Sequence, residues 1–157
     1  HRFRKLAALN EWVVRRRREL AAGGDIARSA GDRFLRRMID GGAADWLGAE
    51  MRGGAIEVRG NAGNQVGAAY RGSRRGMCGG SILLRSSAGD ELGLLMRRGV
   101  IVVQRDCGEF AGASMIAGTI AVFGGTGPRL GAGMKRGTIL AAREPDLPAS
   151  FRLACEY

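Results

Sequence analysis

Short runs of alternating apolar residues recur along the chain, each just after a Met-x-x-Gly phrase: residues 55–58 (Ala-Ile-Glu-Val), 81–84 (Ser-Ile-Leu-Leu), 100–103 (Val-Ile-Val-Val) and 119–122 (Thr-Ile-Ala-Val). β-Branched residues at period two make strands. Glycines bound every run, where the backbone must turn and often takes φ > 0. Three segments, beginning at Gly89, Gly108 and Gly127, align without gaps at a spacing of 19 residues. Within them Met96, Met115 and Met134 coincide, as do Gly99, Gly118 and Gly137, and Ile101, Ile120 and Ile139. Self-similarity at a fixed period is the signature of a repeat architecture.

Earlier copies are less regular. Gly63 and Gly67 open one that takes seven extra residues, around 70–76 (Tyr-Arg-Gly-Ser-Arg-Arg-Gly), before Met77, Gly80 and Ile82. Gly48, Met51, Gly54 and Ile56 form another, and Gly31, Met38 and Gly41 repeat the same phrase. On this alignment all six methionines share one repeat position. The step from Met38 to Met51 is then 13 residues, six short of a period, which predicts an incomplete first coil.

A 19-residue unit is too short for a β-α-β crossover of about 30 residues or a helical hairpin repeat of about 34. The remaining solution is all-β: a right-handed, single-stranded parallel β-helix of glycine-rich coils. Coils stacked about 4.8 Å apart pair every strand in parallel and set equivalent residues above one another. One internal ladder is expected from Ile56, Ile82, Ile101, Ile120 and Ile139, and another from Met51, Met77, Met96, Met115 and Met134. A solenoid must cover its two ends. Residues 3–20 read as a helix with apolar points at Leu6, Leu9, Val13 and Leu20, stopped by Gly23 and Gly24. The tail 145–157, with Leu147, Phe151 and Leu153, is the candidate cover for the other end. The organisation expected is a basic capping segment (1–30), the β-helix (31–142) and a capping tail (143–157).

Composition sharpens this in three ways. Twenty-seven glycines without a strict Gly-X-Y period exclude collagen. Half of the net charge of +10 lies in residues 1–24, where seven bases face two acids, so the main body is only mildly basic. That excess favours acidic partners and is a weak nucleic-acid signal, and nucleic acid is not expected as a partner. Cys78, Cys107 and Cys155 form no C-x-x-C pair, which reads as free thiols in a cytoplasmic protein. No apolar run approaches a membrane span and no signal-peptide pattern appears, so no membrane partner is expected. The chain opens on His1 rather than methionine, which reads as a fragment or a processed form.

Three constellations imitate chemistry. Residues 119–131 resemble a strand and dinucleotide-binding glycine loop, but no helix follows to receive a pyrophosphate. Six thioethers at one repeat position are core filler more simply than a copper site. Asp90 and Glu109 share a repeat position, and with Asp32, Asp45, Glu91 and Asp106 they fall at corners. Stacked carboxylates there either act as acid and base or cap backbone N–H groups. With no histidine after His1, capping is favoured, and no catalytic, cofactor-binding or metal residue is assigned.

Arg52, Arg97, Arg98, Lys135 and Arg136 follow the ladder methionines along one corner. With Arg71, Arg74 and Arg75 of the insertion they form either a solvated edge or a basic contact ridge for a partner. The insertion has the composition of a mobile contact loop projecting from that corner.

Residues 60–67 (Gly-Asn-Ala-Gly-Asn-Gln-Val-Gly), 48–54 (Gly-Ala-Glu-Met-Arg-Gly-Gly) and 131–139 (Gly-Ala-Gly-Met-Lys-Arg-Gly-Thr-Ile) resemble the GXGXG-repeat subunit of formylmethanofuran dehydrogenase and its counterpart in the bacterial formyltransferase/hydrolase complex. The resemblance covers residues 31–141. It implies a β-helix like the C-terminal domain of glutamate synthase, and a structural role in a one-carbon enzyme complex. Amidohydrolase-like, formyltransferase and molybdopterin-enzyme-like subunits would be the partners. Methanofuran or methylofuran would be handled by the complex, with no cofactor bound by this chain. The alternatives are a β-helix domain of a glutamate-synthase-type amidotransferase and an independent β-helix enzyme.

Overall fold

The computed structural model describes residues 36–152. Six short strands, β1 (Arg36–Ile39), β2 (Ala55–Val58), β3 (Cys78–Leu84), β4 (Arg98–Val103), β5 (Thr119–Val122) and β6 (Thr138–Ala141), form one sheet in chain order. Every neighbouring pair is parallel. The described residues contain no helix, and the chain winds as a β-solenoid of about six 19-residue turns. The expected N-terminal helix lies outside the described residues, as does Leu153; the compact unit containing the sheet runs from Leu35 to Phe151.

Strand register confirms the isoleucine ladder: Ile56 pairs with Ile82, Ile82 with Ile101, Ile101 with Ile120 and Ile120 with Ile139. Four further apolar columns fill the interior. One is Val58, Leu84, Val103 and Val122; a second is Ala62, Ala88 and Cys107; a third is Val66, Leu92, Ala111 and Leu130. The fourth is the methionine column, whose central members Met77, Met96 and Met115 are fully buried.

The glycine–methionine phrase follows from how each coil seats the next. Each coil without the insertion makes two overlapping turns, as in Ala113 N–H to Phe110 C=O (3.0 Å) and Met115 N–H to Gly112 C=O (3.1 Å). The third residue of each turn, Gly112 and Ser114, has φ of 70° and 51°, as a type II turn requires. Left-handed backbone alone does not demand glycine there, because Ser114, Leu95 and Glu50 adopt it too. Contact with the next coil does: a Cβ on Gly93 would lie 2.6 Å from Ile120 Cδ1, and one on Gly67 2.6 Å from Ile101 Cδ1. The glycine after each methionine is reserved in the same way. A Cβ on Gly99 would meet Met77 Cε at 2.7 Å, and one on Gly137 would meet Met115 Cε at 2.8 Å.

The first coil departs from expectation. Arg36 to Ile39 pair with Ala55 to Val58 at the full 19-residue offset, so no shortened coil precedes Met51. Met38 stands opposite Glu57 on the strand, not on the methionine column, and is 46% exposed. The reason is strand alternation. Ile39 and Val58 carry the inward position, which leaves Met38 on the outer face. Five methionines, not six, form the column.

At the other end, the expected tail cover is present in one residue. Where every earlier corner glycine receives the next coil's isoleucine, Gly131 receives the Phe151 ring, with Cζ 2.9 Å from a would-be Cβ. Leu147 remains 48% exposed.

Candidate interaction surface

The two corners flanking the strand are built differently. The corner after each strand is held across coils by side chains as well as by backbone bonds such as Gly63 N–H to Ala43 C=O (2.9 Å). Asp45 Oδ1 accepts from Asn64 N–H (2.7 Å), Asn64 Oδ1 from Asp90 N–H (2.9 Å), and Asp90 Oδ1 from Glu109 N–H (2.9 Å). A parallel set one turn earlier uses Asn61, which accepts from the Ser86 hydroxyl (2.6 Å) and Ser87 N–H (3.3 Å), and Asp106, which accepts from Gly125 N–H (2.6 Å). Asp45, Asp90 and Asp106 are thus backbone caps, and Asp90 shares its column with Glu109 as the repeat predicts. Glu91 accepts from Gln65 of the preceding coil at 2.7 Å, and Glu109 lies 3.9 Å from Arg129. Asp32 lies outside the described residues.

The corner before each strand carries the basic residues. Cys78, Arg97, Ile116 and Lys135 are stacked equivalents, each donating its N–H to the methionine carbonyl of the previous coil at 2.7 to 2.9 Å. The structure therefore brings Arg52, Arg97, Arg98, Lys135 and Arg136 to one corner but on alternate coils. Cys78-Gly79 and Ile116-Ala117 interrupt them, which spaces the charges roughly 10 Å apart. Arg52, Arg98, Lys135 and Arg136 are exposed and Arg97 is half-buried. Among the described residues, none of these five makes a salt bridge, and the Arg97 Nε is buried without a hydrogen-bond partner.

The insertion fills the gap at the Cys78 coil. It departs after Ala69 and rejoins at Gly76, whose N–H groups donate to Leu94 and Leu95 of the next coil (3.1 and 3.0 Å). Rather than a slack loop it forms a turn closed by Ser73 N–H to Tyr70 C=O (2.9 Å), with Gly72 at φ 84° in the position a type II turn reserves for glycine. Tyr70 N–H donates to Glu50 Oε1 (3.3 Å), and the Tyr70 ring stacks on Trp46 with centroids 5.3 Å apart. Arg71, Arg74 and Arg75 are all exposed. Repeat spacing gave no sign of the Trp46–Tyr70 pair, because Tyr70 has no equivalent on any other coil.

Two further features are invisible to the repeat. Glu57, which alternation directs outward, is buried and ion-paired with Arg85 of the next coil. Cys107 sits inside the alanine column, where burial pushes its thiol up to about 11 against the lowering effect of the Gly127 backbone hydrogen bond. It is a packed thiol rather than a nucleophile. Among the described residues, no three histidine, cysteine or acidic side chains converge to hold a metal, and no helix is long and apolar enough to cross a membrane.

No family model matches the sequence, and no match is found among curated proteins. Among solved structures, the chain is similar to a chain in the crystal structure of the formyltransferase/hydrolase complex (FhcABCD) from Methylorubrum extorquens in complex with methylofuran, with 37% identity and a TM-score of 0.70. The match takes in 73% of this chain and 43% of that one, so this chain spans less than half the length of the chain it matches. It bears out the resemblance read from the glycine–methionine phrase.

Proposed function

We propose that the protein is an assembly component of a formyltransferase/hydrolase-type complex of one-carbon metabolism, a counterpart of that complex's β-helical subunit, which positions catalytic partners without performing the chemistry. The observation that carries this reading is the 37% identity, along a shared solenoid, to a chain of such a complex. The architecture supports it. Interior positions are occupied by apolar columns, and the corner carboxylates are engaged as acceptors for backbone N–H groups. In this reading amidohydrolase-like and formyltransferase subunits hold methylofuran, this chain binds no cofactor, and the complex is cytoplasmic. The hydrolytic branch is preferred over the oxidising, molybdopterin-dependent one because the matched structure is of the hydrolytic kind.

Affinity purification of the full chain from its native cell, followed by mass spectrometry, is expected to recover formyltransferase- and amidohydrolase-like subunits. The purified chain alone is expected to show no turnover of formylated furan cofactors or of glutamine. Turnover without partners would reject the assembly role. Recovery of a flavin-dependent amidotransferase instead would favour the glutamate-synthase-type alternative.

A further inference from the structure

We infer that the insertion at residues 70–76, with Arg97 beside it, is the docking surface for an acidic face of a partner protein; this rests on the assembly reading above. The column's register does not need the insertion. Both of its feet bond to the next coil, so strand register passes from β2 to β3 to β4 as though a 19-residue coil lay between. A dispensable loop ordinarily stays unstructured, because fixing each residue costs roughly 1–2 kcal/mol of conformational entropy.

This one is fixed nonetheless. Its turn closes on Tyr70, Arg75 N–H donates to Ser73 Oγ (3.2 Å), Glu50 holds the Tyr70 N–H, and Trp46 holds the Tyr70 ring. The product is a pre-ordered projection bearing three exposed arginines and a tyrosine that is 50% exposed. None of the three arginines meets a carboxylate among the described residues. Pre-ordering lowers the entropy cost of association, and Trp, Tyr and Arg are the residues in which binding energy concentrates at interfaces.

Arg97 adds an independent observation. It stands on the next coil, about 5 Å along the column, and its Nε is buried without a partner. The side chain as a whole is only half-buried and meets no carboxylate among the described residues, and a guanidinium pairs best with a carboxylate. Shape decides the class of occupant. The tip at Gly72 has open space within 4 Å of a would-be Cβ. A projecting loop does not enclose a small ligand as concave sites do, but it inserts into a complementary protein face.

The test is co-purification of the full chain with its partner subunits. The parent is compared with the triple variant Arg71→Ser, Arg74→Ser, Arg75→Ser, and with a charge-matched control, Arg59→Ser, Arg105→Ser, Arg143→Ser. The insertion variant is expected to retain at least about tenfold less partner at about 0.15 M salt, with a deficit that narrows as salt rises and screens the parent's own contacts. Its melting temperature should match the parent's within about 2 °C, and the control should assemble normally. Assembly of the insertion variant like the parent would overturn the proposal and leave the assembly role standing. A control that fails equally would reduce the effect to net charge and also overturn it. An insertion variant that assembles normally but loses retention on immobilised poly-L-glutamate would assign the surface to a flexible polyanion rather than a protein face, against the proposal. A parent that captures no partner at all would sink the assembly role and this surface together.

Discussion

The two corners of each coil meet the same problem, how to end a strand and hand the backbone to the next layer, and meet it with different groups. At the acidic corner side chains do part of the joining: Asp45, Asn64 and Asp90 each accept an N–H from the coil that follows, alongside backbone bonds such as Gly89 N–H to Gly63 C=O at 3.0 Å. At the methionine corner the backbone does it, through bonds such as Arg97 N–H to Met77 C=O at 2.9 Å. Side chains at the first corner are therefore committed to folding. Those at the second are released from it, and there the chain carries arginine, lysine, cysteine, isoleucine, alanine and glycine on different coils. Variation along a stack shows where the fold makes no demand, and a corner free of structural demand is open to partners.

Substitutions that put charge or bulk between coils should have the largest effects. Met115 lies fully buried between Met96 and Met134, so Met115→Asp buries an unpaired carboxylate and should cost more than about 4 kcal/mol. Loss of the cooperative circular-dichroism transition near room temperature is the expected readout, and a variant melting like the parent would refute the column. Gly93→Ala comes next. It combines φ 67° with a Cβ placed 2.6 Å from Ile120 Cδ1, and should cost about 2–3 kcal/mol. Gly72→Ala keeps the left-handed backbone (φ 84°) without the clash and should cost only about 1 kcal/mol. Equal losses in urea melts would mean that φ alone selects glycine.

That pair of glycines also marks what the sequence reveals and what it conceals. Period, parallel pairing and both predicted ladders were legible because each coil repeats its contacts, so one spacing reports them all. The Met38 register was not. A methionine followed three residues later by glycine matched the phrase, but the alternation ending in Ile39 decided the strand. Nor were the left-handed residues Trp46, Gln65, Glu91, Phe110 and Arg129 legible, since glycine is the usual marker for that backbone and none of them is glycine. At the candidate surface the arginines were visible one by one. Their alternate-coil spacing, and the Trp46 ring beneath Tyr70, depend on which residues the insertion brings together, and no repeat encodes that.

At the acidic corner, Asp90→Ala removes the acceptor for Glu109 N–H and should cost about 1 kcal/mol. Asp90→Asn should be close to neutral, because Asn64 already does the same work with an uncharged carbonyl oxygen. If Asp90→Asn proved as damaging as Asp90→Ala in the same melts, the ladder would depend on charge rather than on a hydrogen-bond acceptor.

The smallest effect is expected opposite, at the methionine corner. Arg98 and Arg136 are exposed and take part in no ion pair among the described residues. Their corner is joined by backbone bonds that any residue supplies, as Lys135 N–H to Met115 C=O does at 2.9 Å. Arg98→Ser and Arg136→Ser should each shift stability by less than about 0.5 kcal/mol. The sign carries information as well. Arginines about 10 Å apart on alternate coils repel weakly, and salt screens charges at that distance. Removing one should therefore be neutral to slightly stabilising at about 0.01 M salt, and the difference should vanish at about 0.5 M. Paired urea melts at the two salt concentrations measure both quantities. If Arg136→Ser destabilises as much as Asp90→Ala, the methionine corner is also held by its side chains, and its charges cannot be regarded as free for a partner.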